Sequence, residues 1–233
     1  MLAQSFWWFY AGLEAIAVFY LAQLSRSPWG VPRCFYQLAI GISLWSGLMA
    51  VLLALGAGQV ELGGQVISYA RYLDCLIATP GVLLSLCWTG MLTLRREKHL
   101  IHALLGMAGV MVFSSWMGDL STSRACYLWY ANSGVAFGAI MKVVWGFLRE
   151  TAQLQSHPLM PSFYDCLAAY LTVSWGGYAL VWVMGSAGWG VIDPTQEAFL
   201  FCLLSFAGQT GFLLFNLYGL RRLNQLRLRS LAR

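Results

Sequence analysis

Apolar residues run through this chain in seven long stretches, at about 5 to 24, 33 to 56, 67 to 93, 101 to 118, 126 to 148, 163 to 184 and 197 to 220, separated by short polar segments. Roughly 20 apolar residues in a helix cross a bilayer. The pattern therefore predicts an all-α membrane protein, a seven-transmembrane-helix bundle in one domain over 1–233, with a basic tail at 221–233. The segment "GAGQVELGGQ", 56 to 65, alternates small and β-compatible residues and reads as a hairpin. "QLQSHPLMPS", 153 to 162, carries Pro158 and Pro161 and reads as a plain linker. No repeat of fixed period is visible.

Composition sharpens this. Hydrophobic residues make up 59% and charged ones 10%, against a typical quarter charged in soluble domains, too few to cover a water-soluble fold. The first stretch lacks a basic n-region and a small-residue cleavage site, so it reads as a span and not a cleaved signal. Arg26, Arg33, Arg95, Arg96, Lys98, Arg149, Arg221, Arg222, Arg227, Arg229 and Arg233 fall on one side and Arg124 alone on the other. The N-terminus is thus expected outside and the tail in the cytoplasm. The net charge of +5 follows from that topology, and the basic tail points to anionic lipid, not nucleic acid.

Little here is catalytic. Cys75, Cys87, Cys166 and Cys202 lie within predicted helices and Cys34 and Cys126 near helix ends, without metal-ligand spacing, and read as small packing residues. His99, His102 and His157 fall at loops. No phosphate-cradling loop or triad spacing occurs, so neither catalytic nor metal-binding residues are expected, and no enzyme.

Ionisable groups inside a membrane cost at least roughly 2.5 kcal/mol each and are functional candidates. Arg71 and Asp74, spaced i to i+3, share a helical face and form either a functional pair or a mutually neutralising one. Glu14 either faces a polar interior or snorkels. Lys142 lies two turns from a helix end, where its stem reaches the interface, and Asp119 reads as an interfacial or capping residue. Pro80 kinks the third span.

In fixed order, "ARYLDCLIATP" gives an arginine, a buried carboxylate, a threonine and a kink. This resembles the third helix of the microbial rhodopsins. "LSRSPWGVP", "LWSGL", "LLSLCWT", "YLWY", "YDCLAAYLTVSWGGYALVW" and "FLFCLLSF" are similar to segments of the cyanobacterial, xenorhodopsin-like sensory group of that family. The resemblance implies the seven-helix rhodopsin bundle, with Arg71 and Asp74 below a central pocket. It implies a pocket lined by Cys75, Thr79, Val82, Met111, Ser115, Trp129, Asn132, Ser133, Trp175, Tyr178, Ala179, Trp182, Ser205 and Gly208. Positions 175, 178, 179 and 182 also form one helical stripe by spacing alone, a pattern equally compatible with ordinary core packing.

The resemblance further implies a retinal Schiff-base lysine in the seventh helix, and at the matching position stands Gln209. An amide nitrogen is not nucleophilic and forms no imine, so no covalent retinal is expected. Cys75 stands for the family's Trp, Ala50 for a Tyr, Ala179 for a Pro and Ser205 for a second carboxylate, which predicts a void near Gln209 unless Phe113 and Trp116 refill it. Ser115, Asn132 and Ser133 make the far end more polar. Ser85 stands where an outward pump has its proton donor, which argues against pumping. Arg71 and Asp74 are then expected to pair directly. The reading is a sensory or accessory protein holding a lipophilic ligand (retinal-like, carotenoid or other polyisoprenoid) without a covalent bond. The alternative is a ligand-free structural or assembly subunit of a larger membrane complex. Ion conduction lacks a charged path apart from Lys142. Partners would be the bilayer, a cytoplasmic or membrane protein, and further copies of the chain by family analogy.

Overall fold

A computed structural model of the chain describes residues 2–62, 65–94, 97–121, 124–155, 157–185 and 188–231. The apolar stretches form seven helices long and apolar enough to cross a membrane: α1 (Leu2–Arg26), α2 (Arg33–Ala54), α3 (Tyr69–Gly90), α4 (Lys98–Leu120), α5 (Ala125–Gln153), α6 (Met160–Met184) and α7 (Pro194–Leu231). Helices are the natural outcome, because hydrocarbon offers backbone groups no partner but the helix itself. Between α2 and α3 lies an antiparallel hairpin, β1 (Val60–Leu62) and β2 (Gln65–Ile67), with Val60 opposite Ile67. The glycine-punctuated segment does turn back on itself, several residues later than its composition suggests. This end of the bundle is called the hairpin end, and the opposite end, where α7 finishes, the tail end.

Two local features depart from expectation. The segment read as a linker is shorter: α5 continues to Gln153, and Pro161 sits in the first turn of α6, where a missing N–H costs nothing. The segment read as a separate tail continues α7 as helix to Leu231. Of the basic residues that set the expected orientation, Arg95, Arg96 and Arg233 lie outside the described residues, as do the side chains of Arg227 and Arg229. The α1–α2 turn places Trp29 at φ +47° and Gly30 at +79°. The left-handed region is free for the glycine but strained for the tryptophan. Asp193 caps α7: its carboxylate accepts from the Thr195 and Gln196 N–H groups at 2.7 and 3.3 Å, while Gln196 returns a bond to the Asp193 N–H.

The helices close into a ring in chain order, α7 against α1, and α3 also reaches α6 and α7. The central helix is α3, with 61% of its span buried against 17% for α5. Pro80 is carried inside α3 without ending it. One core cluster fills the tail half around Leu21, Phe35, Tyr36, Leu83, Leu86, Tyr164 and Phe212. A smaller one, with Trp7, Tyr10, Met49, Ala50 and Leu53, sits toward the hairpin end.

Two spans contain a π turn, Val144–Leu148 in α5 and Ala207–Gly211 in α7. Widening a helix this way disturbs the regular i→i−4 ladder, and a carbonyl released in hydrocarbon must find another donor. In both cases α6 supplies it: Tyr164 donates to the Val144 carbonyl and Tyr170 to the Ala207 carbonyl, each at 2.9 Å.

Close packing at the hairpin end of α4 depends on Gly118, where an added Cβ would stand 2.6 Å from the Tyr130 ring. That ring is pinned by a hydrogen bond to Asp119 and lies against Trp182, so it cannot yield cheaply. Gly118→Ala is expected to cost about 1–3 kcal/mol by overpacking. Gly109→Ala on the same helix, with nothing within 4 Å, should stay within about 0.5 kcal/mol of wild type. Parallel denaturation of the two variants in one detergent checks the difference.

Candidate functional site

A cavity of about 290 Å³ lies between α3, α4, α5, α6 and α7, near the lower limit of pockets that hold drug-sized molecules. Trp175, Tyr178 and Trp182 of α6 form one wall with Ala179, following the i, i+3, i+4, i+7 stripe. Cys75, Thr79 and Val82 of α3 face them, and Met111 and Ser115 of α4 and Ser133 of α5 close one side. Ser205, Gly208 and Gln209 of α7 close another, and Arg71 also reaches the lining. The chain's only lysines are Lys98 and Lys142. Neither lines the cavity, and Lys142 is exposed on α5.

Trp129 and Asn132 are not in the lining. Asn132 is exposed and donates to Ser114 Oγ at 2.7 Å on α4, and the residue of the Trp129–Tyr130 pair that meets the cavity is Tyr130. The reason is helical phase: Tyr130, Ser133, Gly134 and Phe137 form the inward stripe of α5. Ser133, which the family resemblance assigns to the pocket, fixes this phase, and its i−3 and i+4 neighbours, Tyr130 and Phe137, follow from the helical period. Tyr72, Val112, Val183, Phe201 and Leu204 also contribute to the lining and had no signal beyond apolar or aromatic character.

Arg71 does not pair with Asp74. Its Nη2 is 3.2 Å from Asp119 Oδ2, and both side chains are 13% exposed. Asp119 is neither a cap nor simply interfacial: it accepts from Arg71, Tyr72, Tyr130 and, at 3.1 Å, the Trp182 indole. Four donors from α3, α5 and α6 converge on one carboxylate of α4 and tie the hairpin end of the cavity together. The guanidinium also lies 4.2 Å from the Phe201 ring centroid, a cation–π contact. The i to i+3 spacing brought Arg71 and Asp74 to one helical neighbourhood but could not show that a carboxylate 48 positions away takes the arginine.

Asp74, 4% exposed, turns toward α2 and α7. Ser46 Oγ lies 2.6 Å from Asp74 Oδ1 and 2.9 Å from Gln209 Oε1, and the Gln209 amide donates to Asp74 Oδ2 at 3.1 Å. The Tyr10 hydroxyl approaches Gln209 Oε1 at 3.5 Å. Ala50 is buried in one cluster with Trp7 and Tyr10 of α1 and does not line the cavity. Phe113 and Trp116 do not refill the cavity: Phe113 is half-exposed, and Trp116 stacks on Tyr72 at 6.1 Å. Tyr178 and Ser205 share a hydrogen bond of 2.8 Å across the wall, and Ser115 and Ser133 another of 2.8 Å.

Toward the tail end the buried polar side chains Ser85, Thr89, Gln155 and Asn216 are neutral. Asn216 donates to Ser85 and Thr89, each at 2.9 Å, and Gln155 donates to the Thr89 and Gly90 carbonyls. Among the described residues no three His, Cys, Asp or Glu side chains gather as a metal centre. The cysteines are free thiols, and Cys166 is exposed, so packing does not account for it.

The family model described as "Bacteriorhodopsin-like protein" matches residues 1–223. The chain is 31% identical over 211 residues to archaerhodopsin-2 of Halobacterium sp. (strain aus-2), spanning 86% of this chain and 78% of that protein. Among solved structures, the thermophilic rhodopsin from Rubrobacter xylanophilus superposes with a TM-score of 0.88 at 26% identity, covering 96% of this chain and 97% of that one. A cyanorhodopsin from the cyanobacterium Tolypothrix superposes with a TM-score of 0.86 at 23% identity over 96% of each chain, a likeness of fold.

Proposed function

The chain belongs to the bacteriorhodopsin-like family, and from that premise we propose that it is a non-enzymatic member that holds a lipophilic, polyene-like ligand without a covalent bond, in a sensory or accessory role. The observation that carries this reading is the lysine-free aromatic cavity, with Gln209 in its wall. The indoles of Trp175 and Trp182 and the phenol of Tyr178 offer flat apolar area to a conjugated chain. The Gln209 amide and the Ser205 and Cys75 side chains offer weak polar contacts to a terminal oxygen, as do Ser115 and Ser133 to the other end. None of these groups forms an imine with an aldehyde.

The same reading excludes light-driven proton pumping as the activity. It is supported by the tail-end chain of Ser85, Thr89, Asn216 and Gln155, whose hydrogen bonds run between neutral groups, where a proton donor would need an ionisable one. The excess of arginine at the tail end supports an N-terminus outside and α7 ending in the cytoplasm.

All-trans retinal tests the proposal directly. Added to the purified protein, it should quench tryptophan fluorescence saturably, extract fully into organic solvent, and leave no borohydride-reducible adduct. Ala179→Phe, which fills the cavity, should abolish the quenching. A reduced retinyl-peptide on any residue would sink the non-covalent claim, and unsaturable quenching by both retinal and a carotenoid would sink the ligand claim.

A further inference from the structure

Glu14 lies in the middle of α1 and is fully buried. It did not snorkel, because α1 packs tightly on α2 there: a Cβ on Gly47 would stand 3.3 Å from Glu14 Cβ. One carboxylate oxygen, Oε2, accepts from Thr210 at 2.7 Å, and Ser43 lies 2.9 Å from Thr210 Oγ1. The other, Oε1, is buried with no hydrogen-bond partner among the described residues. Thr210 neighbours Gln209, which holds the second buried carboxylate, Asp74. Neither Glu14 nor Asp74 takes part in an ion pair among the described residues, and Arg71 is engaged by Asp119.

Two features of this group lack compensation: a buried pair of acids without a countercharge, which is costly in a low-dielectric interior, and one carboxylate oxygen without a donor. A proton neutralises Glu14 but does not partner Oε1: placed there it has no acceptor among the described residues, and shared with Thr210 through Oε2 it leaves Oε1 unpaired. A small cation at Oε1 neutralises Glu14 and partners that oxygen, with Asp74 the one negative charge left beside it. The surrounding donors are oxygens: the carboxylate of Glu14 and the hydroxyls of Thr210 and Ser43, with the Asp74 charge and the Gln209 carbonyl next to them. Hard oxygen donors without thiolate or imidazole suit a hard cation, not a transition metal. We propose that Glu14, Thr210 and Ser43 form a binding site for one monovalent cation of the sodium class, with Asp74 supplying additional negative charge. The site lies beside the aromatic cavity and does not depend on any ligand held there.

Thermal unfolding of the purified protein at mildly alkaline pH tests this, with sodium chloride exchanged for choline chloride at constant ionic strength. Binding to the folded state alone raises the midpoint as the logarithm of sodium concentration above the dissociation constant. The expected result is a sodium-specific rise of the midpoint that is absent in Glu14→Gln. Equal midpoints in sodium and choline overturn the proposal, as does a stability that follows pH but ignores sodium, or a sodium effect that survives Glu14→Gln. If Glu14→Gln does not fold, the sodium-23 NMR linewidth with wild-type protein decides. Broadening that lithium reverses and choline does not is expected, and an unbroadened line overturns the site.

Discussion

Asp119→Ala should destabilise the bundle by about 3–5 kcal/mol, the cost of leaving one member of a buried ion pair without its partner. Arg71 would be left charged at 13% exposure, and Tyr72, Tyr130 and Trp182 would lose their common acceptor in the same step. Asp165→Ala is the matched comparison. It breaks the Arg149 pair, bidentate at 2.8 and 3.0 Å but with side chains 43% and 34% exposed, where water screens the attraction and little stability is lost. From the other partner, Arg71→Gln should lower the unfolding midpoint more than Arg124→Gln, since Arg124 is exposed. The residue then stranded is Asp119, so Arg71→Gln combined with Asp119→Asn should recover part of the loss. Equal midpoints for Asp119→Ala and Asp165→Ala would contradict the convergence of donors on Asp119.

Gln209→Lys should have the largest effect on chemistry, because it places the one missing nucleophile in the cavity wall, within reach of Asp74 as a counterion. The cavity, however, has Cys75 and Ala179 at positions the family resemblance assigns to Trp and Pro, so the polyene would be loosely held and the imine open to water. The single variant with all-trans retinal is expected to give little pigment, or pigment that hydroxylamine bleaches quickly. Adding Cys75→Trp and Ala179→Pro should raise both yield and resistance, because walls that fix the chain before the bond forms remove part of the ordering cost. Absorbance of purified protein before and after hydroxylamine measures this. A full, resistant pigment from Gln209→Lys alone would show that the cavity already fits retinal.

Span positions were legible because a bilayer imposes a length on every apolar stretch, and the start of α2 and the end of α6 fall where hydropathy changes. The ends that ran on, α5 to Gln153 and α7 to Leu231, did so in polar sequence, where hydropathy gives no signal. The α6 wall was legible through its 3.6-residue period, whereas α5 was misphased by one residue at Trp129, since adjacent aromatics look alike until a face is fixed. The partner of Arg71 could not be read at all. Choosing between Asp74, three residues away, and Asp119, 48 away, depends on which helix faces inward at that depth. The burial of Ala50 in one cluster with Trp7 and Tyr10 was hidden for the same reason: those aromatics lie on a different helix.

The π turn at Ala207–Gly211 gives α7 slack for one change in chain length. A π turn takes up about one residue more than an α turn, so deleting one residue within it would restore α spacing and leave both halves of the helix near their present phase. Phe201 and Ser205 before it and Asn216 beyond it would keep the faces they show now. A deletion in a regular stretch of the same span would instead turn one half by about 100° against the other. A lineage could therefore lose a single codon at this turn without moving the residues on either side of it.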